Sequence, residues 1–320
     1  MATTRFQKTP FHYVQFLALK GVCMGLRLLP YRLAVTTGQF LSGSSRFVIR
    51  KRFARSYSDI AKAFPEKSAQ EIHQITVESW RNIGRIFAEF IKLTAMDPST
   101  FKKYCRVEGM EKLLQAQGST GGIIHIGHFT NWEAFGLAAS VYGADKAVLA
   151  QRVDNPYVDE ETNRLRNIFG GRTFYSNHED RPFFACMRWL KKKKLIGILF
   201  DQNTVAGEIW LPFMGRIAAF SPITALLSIK MQVPVYPVQV KRANDGTLTA
   251  IIEDALLPPA EYSNENVRKF TQKLVSYYEK WLREDPASWL WAHNRWKREA
   301  EGEAYLREHP EERFNDKEPK

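Results

Sequence analysis

From residue 106 onward, short apolar runs alternate with amphipathic stretches, and this alternation constrains the fold more than any other feature of the sequence. The runs have the length of buried strands, whereas the stretches between them carry apolar residues at helical spacing. Strands that alternate with helices predict an α/β fold with a mixed, largely parallel sheet flanked by helices on both faces. The predicted strands are 122–126, 146–151, 195–200, 233–240 and 248–253, and the predicted helices are 131–141, 155–169, 180–190, 222–231 and 264–283.

A long amphipathic helix is predicted ahead of this region, from Ser68 to Leu93. Ser68 followed by Glu71 has the spacing of a capping box, in which each side chain satisfies a backbone N–H at the start of the helix. Apolar residues recur at helical spacing from there onward, and Asp97 and Pro98 end the pattern.

The first strand of the alternating region is followed by a histidine and, five residues later, by a glutamate. In open α/β sheets the functional crevice lies beyond the carboxyl ends of the strands, and His128 falls at that position. Residues five apart do not share a helix face, so Glu133 reaches His128 only if the chain turns over residues 127–130. The carboxylate would then hold one ring nitrogen, and the other would act as a general base toward a hydroxyl. Taken alone, the pair is better explained by a structural histidine.

The first 58 residues form a basic and apolar segment. They contain ten Lys or Arg residues and no Asp or Glu, so they account for most of the net charge of +12. The charges are interleaved with the apolar stretch Phe11–Leu41, which indicates an anionic membrane surface rather than a nucleic-acid groove spread over a folded domain. Because Lys20 and Arg27 interrupt the stretch, a marginal span and a helix in the membrane plane are both compatible with it. An amphipathic helix packed on the domain is the alternative.

Neither a disulfide framework nor a metal site is predicted. The three cysteines, at positions 23, 105 and 186, have no pairing or zinc-ribbon spacing, which fits a reducing compartment. A metallohydrolase could use His125, His128 and Glu133 as ligands, but the sequence contains no HExxH helix and no further cluster at metal-ligand spacing. His125 lies within the predicted strand 122–126 and is expected to be a core histidine.

Between Arg50 and Lys297 the chain carries a series of short motifs. They are, in order, KAFPEKSAQE, GHFTNWE, RVDNPYVD, LFDQN, LPFMGRIA and WLWAHNRWK. This series resembles that of the bacterial lipid A biosynthesis acyltransferases, the late lauroyl and myristoyl transferases, in which histidine and glutamate form an HxxxxE motif. The preserved order of the motifs over most of the chain carries the resemblance.

The resemblance implies a glycerolipid-acyltransferase-like α/β body attached to an N-terminal membrane helix, on the cytoplasmic side of the bacterial inner membrane. The implied reaction moves a fatty acyl chain from acyl carrier protein to a hydroxyl of a lipid A precursor, a step of lipopolysaccharide biosynthesis. The expected partners are acyl carrier protein, a lipid A precursor or related glycolipid, and membrane lipids. Nucleic acid, metal ions and cofactors are not expected, since acyl-ACP or acyl-CoA serves as a substrate.

Individual roles follow from the resemblance, position by position. His128 would be the general base and Glu133 the residue that orients it. Arg152 would bind an acceptor phosphate or stabilise the oxyanion, because its guanidinium is a permanently charged fork. The remaining expected substrate-binding residues are Asn155, Arg166, Asp201 and Gln202. Arg166 is equally compatible with a solvated helix face, and His293 and Arg295 are expected to be packing residues.

Three positions depart from the family pattern near the expected site. Thr130 stands where the family usually has Gly, and Met214 replaces the second Phe of the Pro-Phe-Phe-Gly loop. The usual Thr after that loop is Phe220 here, with Ser221 next to it. These departures bear on the acyl-chain length and the acceptor more than on the reaction class.

The sequence therefore predicts three regions. Residues 1–58 form a membrane-anchoring segment, residues 59–297 an acyltransferase domain and residues 298–320 a charged C-terminal tail. Two other functions are compatible with the sequence. One is acyl-CoA-dependent acylation of another glycolipid or amphiphile, and the other is a catalytically silent membrane-binding protein on this fold.

Overall fold

The structure, a computed structural model, describes residues 7–175, 182–204 and 207–314. Its centre is a seven-stranded sheet in the order β1-β9-β8-β2-β5-β3-β4, accompanied by the two-stranded hairpin β6-β7. Within the large sheet every pair is parallel except β8 with β9, which confirms the prediction of a mixed, largely parallel sheet. The strands are β1 Cys105–Glu108, β2 Gly122–His125, β3 Lys146–Ala150, β4 Arg172–Tyr175, β5 Leu195–Ile198, β6 Ile209–Phe213, β7 Arg216–Phe220, β8 Val235–Arg242 and β9 Leu248–Ile252.

Helices cover both faces of the sheet. They are α1 Pro10–Leu28, α2 Tyr31–Ser45, α3 Arg50–Ala63, α4 Ala69–Leu93, α5 Pro98–Tyr104, α6 Met110–Ala116, α7 Trp132–Val141, α8 Pro156–Arg166, α9 Pro182–Lys191, α10 Ile223–Met231, α11 Asn264–Glu284 and α12 Glu299–Glu308. Consecutive strand residues point to opposite faces. Ile123 of β2 accordingly joins the core of α9, α10 and α11, whereas Ile124 joins that of α4 and α7. The central strands are therefore buried on both sides.

Helix α4 confirms the expected long amphipathic helix, including its capping box. The Ser68 hydroxyl accepts a hydrogen bond from the Glu71 backbone N–H, and the Glu71 carboxylate accepts one from the Ser68 N–H. Helix α2 crosses α4 closely, because a Cβ added at Gly38 would lie 2.4 Å from the Gly84 carbonyl oxygen. This contact anchors the N-terminal helices on the body of the protein.

The apolar stretch of the N-terminal segment is broken into two helices at Pro30. Leu29, the residue before the proline, is extended with ψ 148°, which ends α1, and α2 begins at Tyr31. Of the nineteen large apolar side chains that are exposed in the described residues, thirteen lie between residues 11 and 49. Among the described residues, no helix combines the length and the apolar character needed to cross a membrane.

The C-terminal region is more ordered than a solvated tail. Helix α12 packs on the β6-β7 hairpin, where Leu306 is buried with Trp210 and Ile217. Gly302 allows this approach, since a Cβ there would lie 2.4 Å from the Trp210 ring. The expected tail at 298–320 therefore includes a packed helix, and residues 315–320 lie outside the described residues.

Candidate active site

His128 lies on a short turn between β2 and α7, and the C-terminal segment holds this turn in place. The His128 carbonyl accepts a hydrogen bond from the Leu290 N–H at 3.1 Å, and the Thr130 N–H donates to the Ser288 carbonyl at 2.9 Å. Phe129 and Trp289 form an isolated antiparallel bridge between these bonds. The WLWAHNRWK motif therefore fixes the backbone of the GHFTNWE motif, although Phe129 and Trp289 are 160 positions apart in the sequence.

The turn contains a strained residue. Thr130 has a φ of 48°, in the left-handed region that β-branched residues avoid and glycine adopts freely. The family that the sequence resembles usually has glycine at this position, and glycine adopts this conformation without strain. Asn131 then caps α7, because its side-chain oxygen accepts the Ala134 N–H at 2.9 Å.

A buried polar network under the turn links it to α4 and β8. The Asn131 amide donates to the Glu89 carboxylate at 2.7 Å, and Asn82 donates to the Thr130 and Ser288 carbonyls. Arg242 binds Glu89 through two nitrogens, at 2.7 and 2.8 Å. Each member of this network has a partner, so the turn is rigid before any substrate arrives.

The His128 side chain is held by Asp201. Nδ1 of His128 lies 2.7 Å from one carboxylate oxygen of Asp201, and the other oxygen accepts the His128 backbone N–H at 2.8 Å. The second oxygen also accepts the Trp289 indole N–H at 2.8 Å. Burial alone would raise the pKa of the fully buried Asp201, but the His128 charge and these hydrogen bonds outweigh it and lower that pKa to about 2.

The register of the sheet brings these two residues together. Strands β2 and β5 are parallel neighbours with His125 paired to Ile198, and His128 and Asp201 each lie three residues beyond that pair. Because equal distances past a parallel pair lead to the same edge of the sheet, the two side chains meet at the carboxyl edge. The Nδ1–Asp201 contact leaves Nε2 of His128 without a protein partner within the described ranges.

Glu133 does not contact His128, which differs from the expected arrangement. Its carboxylate instead binds Arg166, whose Nε lies 3.0 and 2.9 Å from the two oxygens and whose Nη2 also contacts it. The physical reason is that α7 begins at Trp132, so Glu133 lies in the first helical turn and faces the last turn of α8. Burial would lower the pKa of the Arg166 guanidinium, but the Glu133 charge and hydrogen bonds outweigh it and raise that pKa.

A cavity of about 430 Å³ opens beside His128 and continues between α7 and the sheet. Ile124, Gly197 and Val148 stand next to one another on β2, β5 and β3 and line one wall. On the opposite wall, Gly136 of α7 leaves open space, since a Cβ added there would meet no atom within 4 Å. Apolar residues of these strands and of α7 thus line part of the cavity, and His128 is among the polar residues that line the rest.

A buried lysine at the amino end of β3 lines this cavity. Lys146, at the start of β3, is 3% exposed, and its ammonium group makes no hydrogen bond or ion pair within the described part of the chain. Burial lowers the pKa of Lys146 to about 8, against a smaller rise caused by the Glu133 charge. From Lys146 to Ala150, both of which line the cavity, the strand covers about 13 Å.

A second cavity, of about 730 Å³, lies between α1, α4 and α8. It is lined mainly by apolar side chains, among them Phe16, Phe87 and Leu165. Trp132 and Glu133 line both cavities, and the Trp132 ring packs edge-on against the His128 ring with their centroids 4.6 Å apart. The two cavities are therefore adjacent, with Trp132 and Glu133 between them near His128.

The other expected binding residues divide into two groups. Gln202 and Arg166 line the cavity next to His128. Arg152 and Asn155 lie instead near the start of α8, where Arg152 Nη1 is 3.4 Å from Asp159 and its guanidinium lies over the Tyr175 ring. Asn155 caps α8 and donates to the His12 carbonyl of α1 at 2.8 Å. In this structure Asn155 therefore connects the N-terminal helix to the body.

Histidine residues outside the expected pair differ from one another in position. His125 is fully buried and donates from Nε2 to the Leu274 carbonyl at 3.0 Å, as expected for a core histidine. His293, which was expected to be a packing residue, lines the cavity next to His128. The motif HNRWK was the only sequence signal for it. Among the described residues, no group of three or more His, Cys, Asp or Glu side chains could hold a metal ion.

The chain is similar to known proteins over most of its length. The family described as bacterial lipid A biosynthesis acyltransferase matches residues 4–298. The lipid A biosynthesis palmitoleoyltransferase of Escherichia coli (strain K12) is 22% identical over 283 residues, covering 87% of this chain and 89% of that protein. The lipid A biosynthesis lauroyltransferase of the same organism is 24% identical over 305 residues, covering 92% and 94%. Among solved structures, a 1-acyl-sn-glycerophosphate acyltransferase from Thermotoga maritima is 14% identical with a TM-score of 0.37, covering 78% of this chain and 95% of that one.

Proposed function

The chain belongs to the bacterial lipid A biosynthesis acyltransferase family and is an enzyme that transfers an acyl group to a lipid A precursor; we propose that acyl carrier protein is the donor and that His128 is the general base. The observation that carries this proposal is the His128–Asp201 pair beside a cavity whose walls include apolar residues of the sheet and of α7. A base, an orienting carboxylate and an apolar chamber are what transfer of a fatty acyl group to a hydroxyl requires.

The proposed reaction needs no covalent enzyme intermediate. Nε2 of His128 removes the proton of the acceptor hydroxyl while that oxygen attacks the thioester carbonyl of the donor. The carbon–sulfur bond then breaks, and the imidazolium returns its proton to the departing thiolate. Asp201 keeps the Nδ1–H tautomer and stabilises the imidazolium, so it takes the orienting role first expected of Glu133.

We assign Glu133 a different task in this reaction. Its double contact with Arg166 fixes both side chains at the wall of the cavity next to His128. A carboxylate held in this way keeps Arg166 in a defined orientation, and the guanidinium edge that is not bound to Glu133 can meet an anionic group of a substrate. The contact with Glu133 thus supports the expected substrate-binding role of Arg166.

The two cavities suit the two substrates. The cavity between α7 and the sheet has apolar side chains along the sheet and lies next to His128, so we place the acyl chain of the donor there. The larger cavity borders α1, whose outer surface carries exposed apolar residues, so we place part of the acceptor lipid there. The acceptor hydroxyl would then reach His128 past Trp132.

The N-terminal helices are the proposed membrane contact. Exposed apolar residues of α1, α2 and the α2–α3 connection, including Phe47, Val48 and Ile49, lie beside the basic residues Arg50 and Lys51. Apolar side chains next to Lys and Arg bind anionic bilayer surfaces through burial and charge together. We therefore propose attachment to the cytoplasmic side of the inner membrane, with the cavities open to a lipid acceptor.

One experiment tests the donor, the acceptor and the reaction together. The purified full-length protein is incubated with a lipid A precursor and a panel of acyl-ACPs or acyl-CoAs, and the lipid products are weighed by mass spectrometry. The proposal predicts a mass increase of one acyl group with acyl-ACP and a much smaller yield with acyl-CoA. Equal or better use of acyl-CoA would overturn the donor assignment, and no product with any donor would leave only the family and fold.

A further inference from the structure

His293 is held in one tautomer by a backbone contact. The N–H of Asn203, in the loop after β5, points at Nε2 of His293 over 3.0 Å. A nitrogen that accepts a hydrogen bond carries a lone pair, so in the neutral ring the proton must be on Nδ1. Burial, together with the nearby His128 charge, lowers the pKa of His293 to about 4, and the ring is neutral at pH 7.

Nδ1 of His293 is available to a ligand. It makes no hydrogen bond to any residue that the structure describes, and it is not one of the buried unpaired side-chain atoms. The residue lines the same cavity as His128 and Gln202. The backbone places it there, because the Leu290 N–H donates to the His128 carbonyl and the His293 N–H donates to the Leu290 carbonyl.

The two histidines therefore present opposite hydrogen-bonding groups to one cavity. His128 offers a free Nε2 that accepts a proton, since Asp201 occupies its Nδ1. His293 offers an N–H that donates, since the Asn203 N–H occupies its Nε2. We propose that His293 is a further catalytic residue, whose Nδ1–H donates to the thioester carbonyl oxygen of the donor and stabilises the oxyanion as the acceptor attacks; this inference rests on the proposed acyl transfer.

The charge balance of the step is consistent with a neutral hydrogen-bond donor at His293. Attack by the acceptor oxygen moves the carbonyl electron pair onto the carbonyl oxygen, and the His293 N–H strengthens its hydrogen bond to that oxygen without losing the proton. When the carbonyl re-forms, the thiolate leaves and takes the proton held by His128. His293 ends each cycle unchanged, so it needs no proton source of its own.

Two substitutions separate this role from a structural one. His293→Gln can place its amide oxygen near the position of Nε2, which keeps an acceptor for the Asn203 N–H but removes the donor at Nδ1. His293→Asn can place its amide nitrogen near the position of Nδ1, which keeps a donor but removes the contact with Asn203. A purely structural histidine should tolerate Gln better than Asn, whereas the proposed role predicts the reverse order of kcat.

The experiment measures kcat and the donor KM of the wild type, both variants and His293→Ala, together with their melting temperatures. We expect His293→Gln to fold normally and to lose about 100-fold or more in kcat with a KM close to that of the wild type. We expect His293→Asn to keep more activity than His293→Gln. A kcat within two-fold of wild type for His293→Gln would overturn the proposal.

A spectroscopic measurement tests the tautomer independently of activity. With ¹⁵N-labelled histidine, the proposal predicts a neutral Nδ1–H tautomer for His293 at pH 7, and an Nε2–H tautomer would overturn it. The proposed function fails differently, because it fails when the wild type makes no acylated lipid at all. Normal wild-type turnover with an unaffected His293→Gln variant would remove only the role of His293.

Discussion

Replacement of Asp201 by asparagine tests which carboxylate orients the proposed base. One oxygen of Asp201 accepts two hydrogen bonds, from the His128 backbone and from the Trp289 indole, and the other accepts, among the described residues, only the Nδ1–H of His128. An asparagine has one acceptor oxygen. The side chain satisfies more donors when this oxygen faces the His128 backbone N–H and the Trp289 indole N–H. Its amide NH₂ then faces Nδ1 and forces His128 into the Nε2–H tautomer, which cannot accept a proton.

The expected loss of activity follows from this tautomer change. Where an aspartate that orients a catalytic histidine is replaced by asparagine, the wrong tautomer lowers kcat by about 10⁴-fold. That factor corresponds to about 5.5 kcal/mol of activation free energy. We also expect Asp201→Asn to lower the free energy of unfolding, by about 1 to 3 kcal/mol, because a buried charge-assisted hydrogen bond is lost. The buried Arg295, whose pKa is raised by the Asp201 charge against a larger lowering by burial, loses that partner as well.

The assay compares Asp201→Asn with Glu133→Gln, which is the matched control. For both variants kcat is measured with the acyl donor and lipid A precursor, and the His128 tautomer is read from ¹⁵N shifts. Asp201→Asn should switch His128 to Nε2–H, whereas Glu133→Gln should disturb Arg166 and leave the His128 tautomer unchanged. A tautomer switch in Glu133→Gln, or a kcat within ten-fold of wild type in Asp201→Asn, would refute this reasoning.

Three further substitutions test the surroundings of the site. Thr130→Gly should raise the free energy of unfolding by about 1 kcal/mol and retain activity, because it relieves a positive φ; a lower midpoint in urea would contradict this. Gly136→Leu should shift the products, weighed by mass spectrometry, toward shorter acyl chains, and an unchanged length distribution would exclude that cavity as the donor site. Lys146→Met should stabilise the protein at pH 7 by about 3 kcal/mol, since the Lys146 pKa of about 8 is lowered from 10.5 and the folded state disfavours the charge. The unfolded state binds more protons between pH 8 and 10.5, so wild-type stability should rise toward that of Lys146→Met across this window, and a constant difference in melting temperature would contradict the assignment.

Much of the sheet could be predicted from the sequence, because central strands are buried on both faces and appear as continuous apolar runs. The strand predicted at 122–126 is β2, and the helix predicted at 264–283 is α11. Elements with a weaker apolar pattern were not predicted from the sequence. Strand β4 at the sheet edge is only partly buried, and the β6-β7 hairpin turns at Met214, whose φ of 51° is uncommon for a residue with a side chain.

Some residues of the candidate site were predicted, but their contacts were not. The family resemblance implied that Glu133 orients His128, whereas strand register brings Asp201 to the histidine from 73 positions away. Register is set by which strands are neighbours, and a single sequence does not reveal this order. His293 reaches the cavity for a similar reason, since the backbone bonds of its segment to the His128 turn join parts of the chain that are distant in sequence.

The most direct test of the account follows a labelled acyl group through a single turnover. Full-length wild-type protein and His128→Ala, both checked for folding and for binding to vesicles of anionic lipid, are mixed with labelled acyl-ACP and a lipid A precursor. The account predicts that the label moves from the carrier protein to the lipid in the wild type and that His128→Ala slows this transfer by at least about 100-fold. Transfer at the wild-type rate in His128→Ala, or no transfer in the wild type, would contradict the central claim.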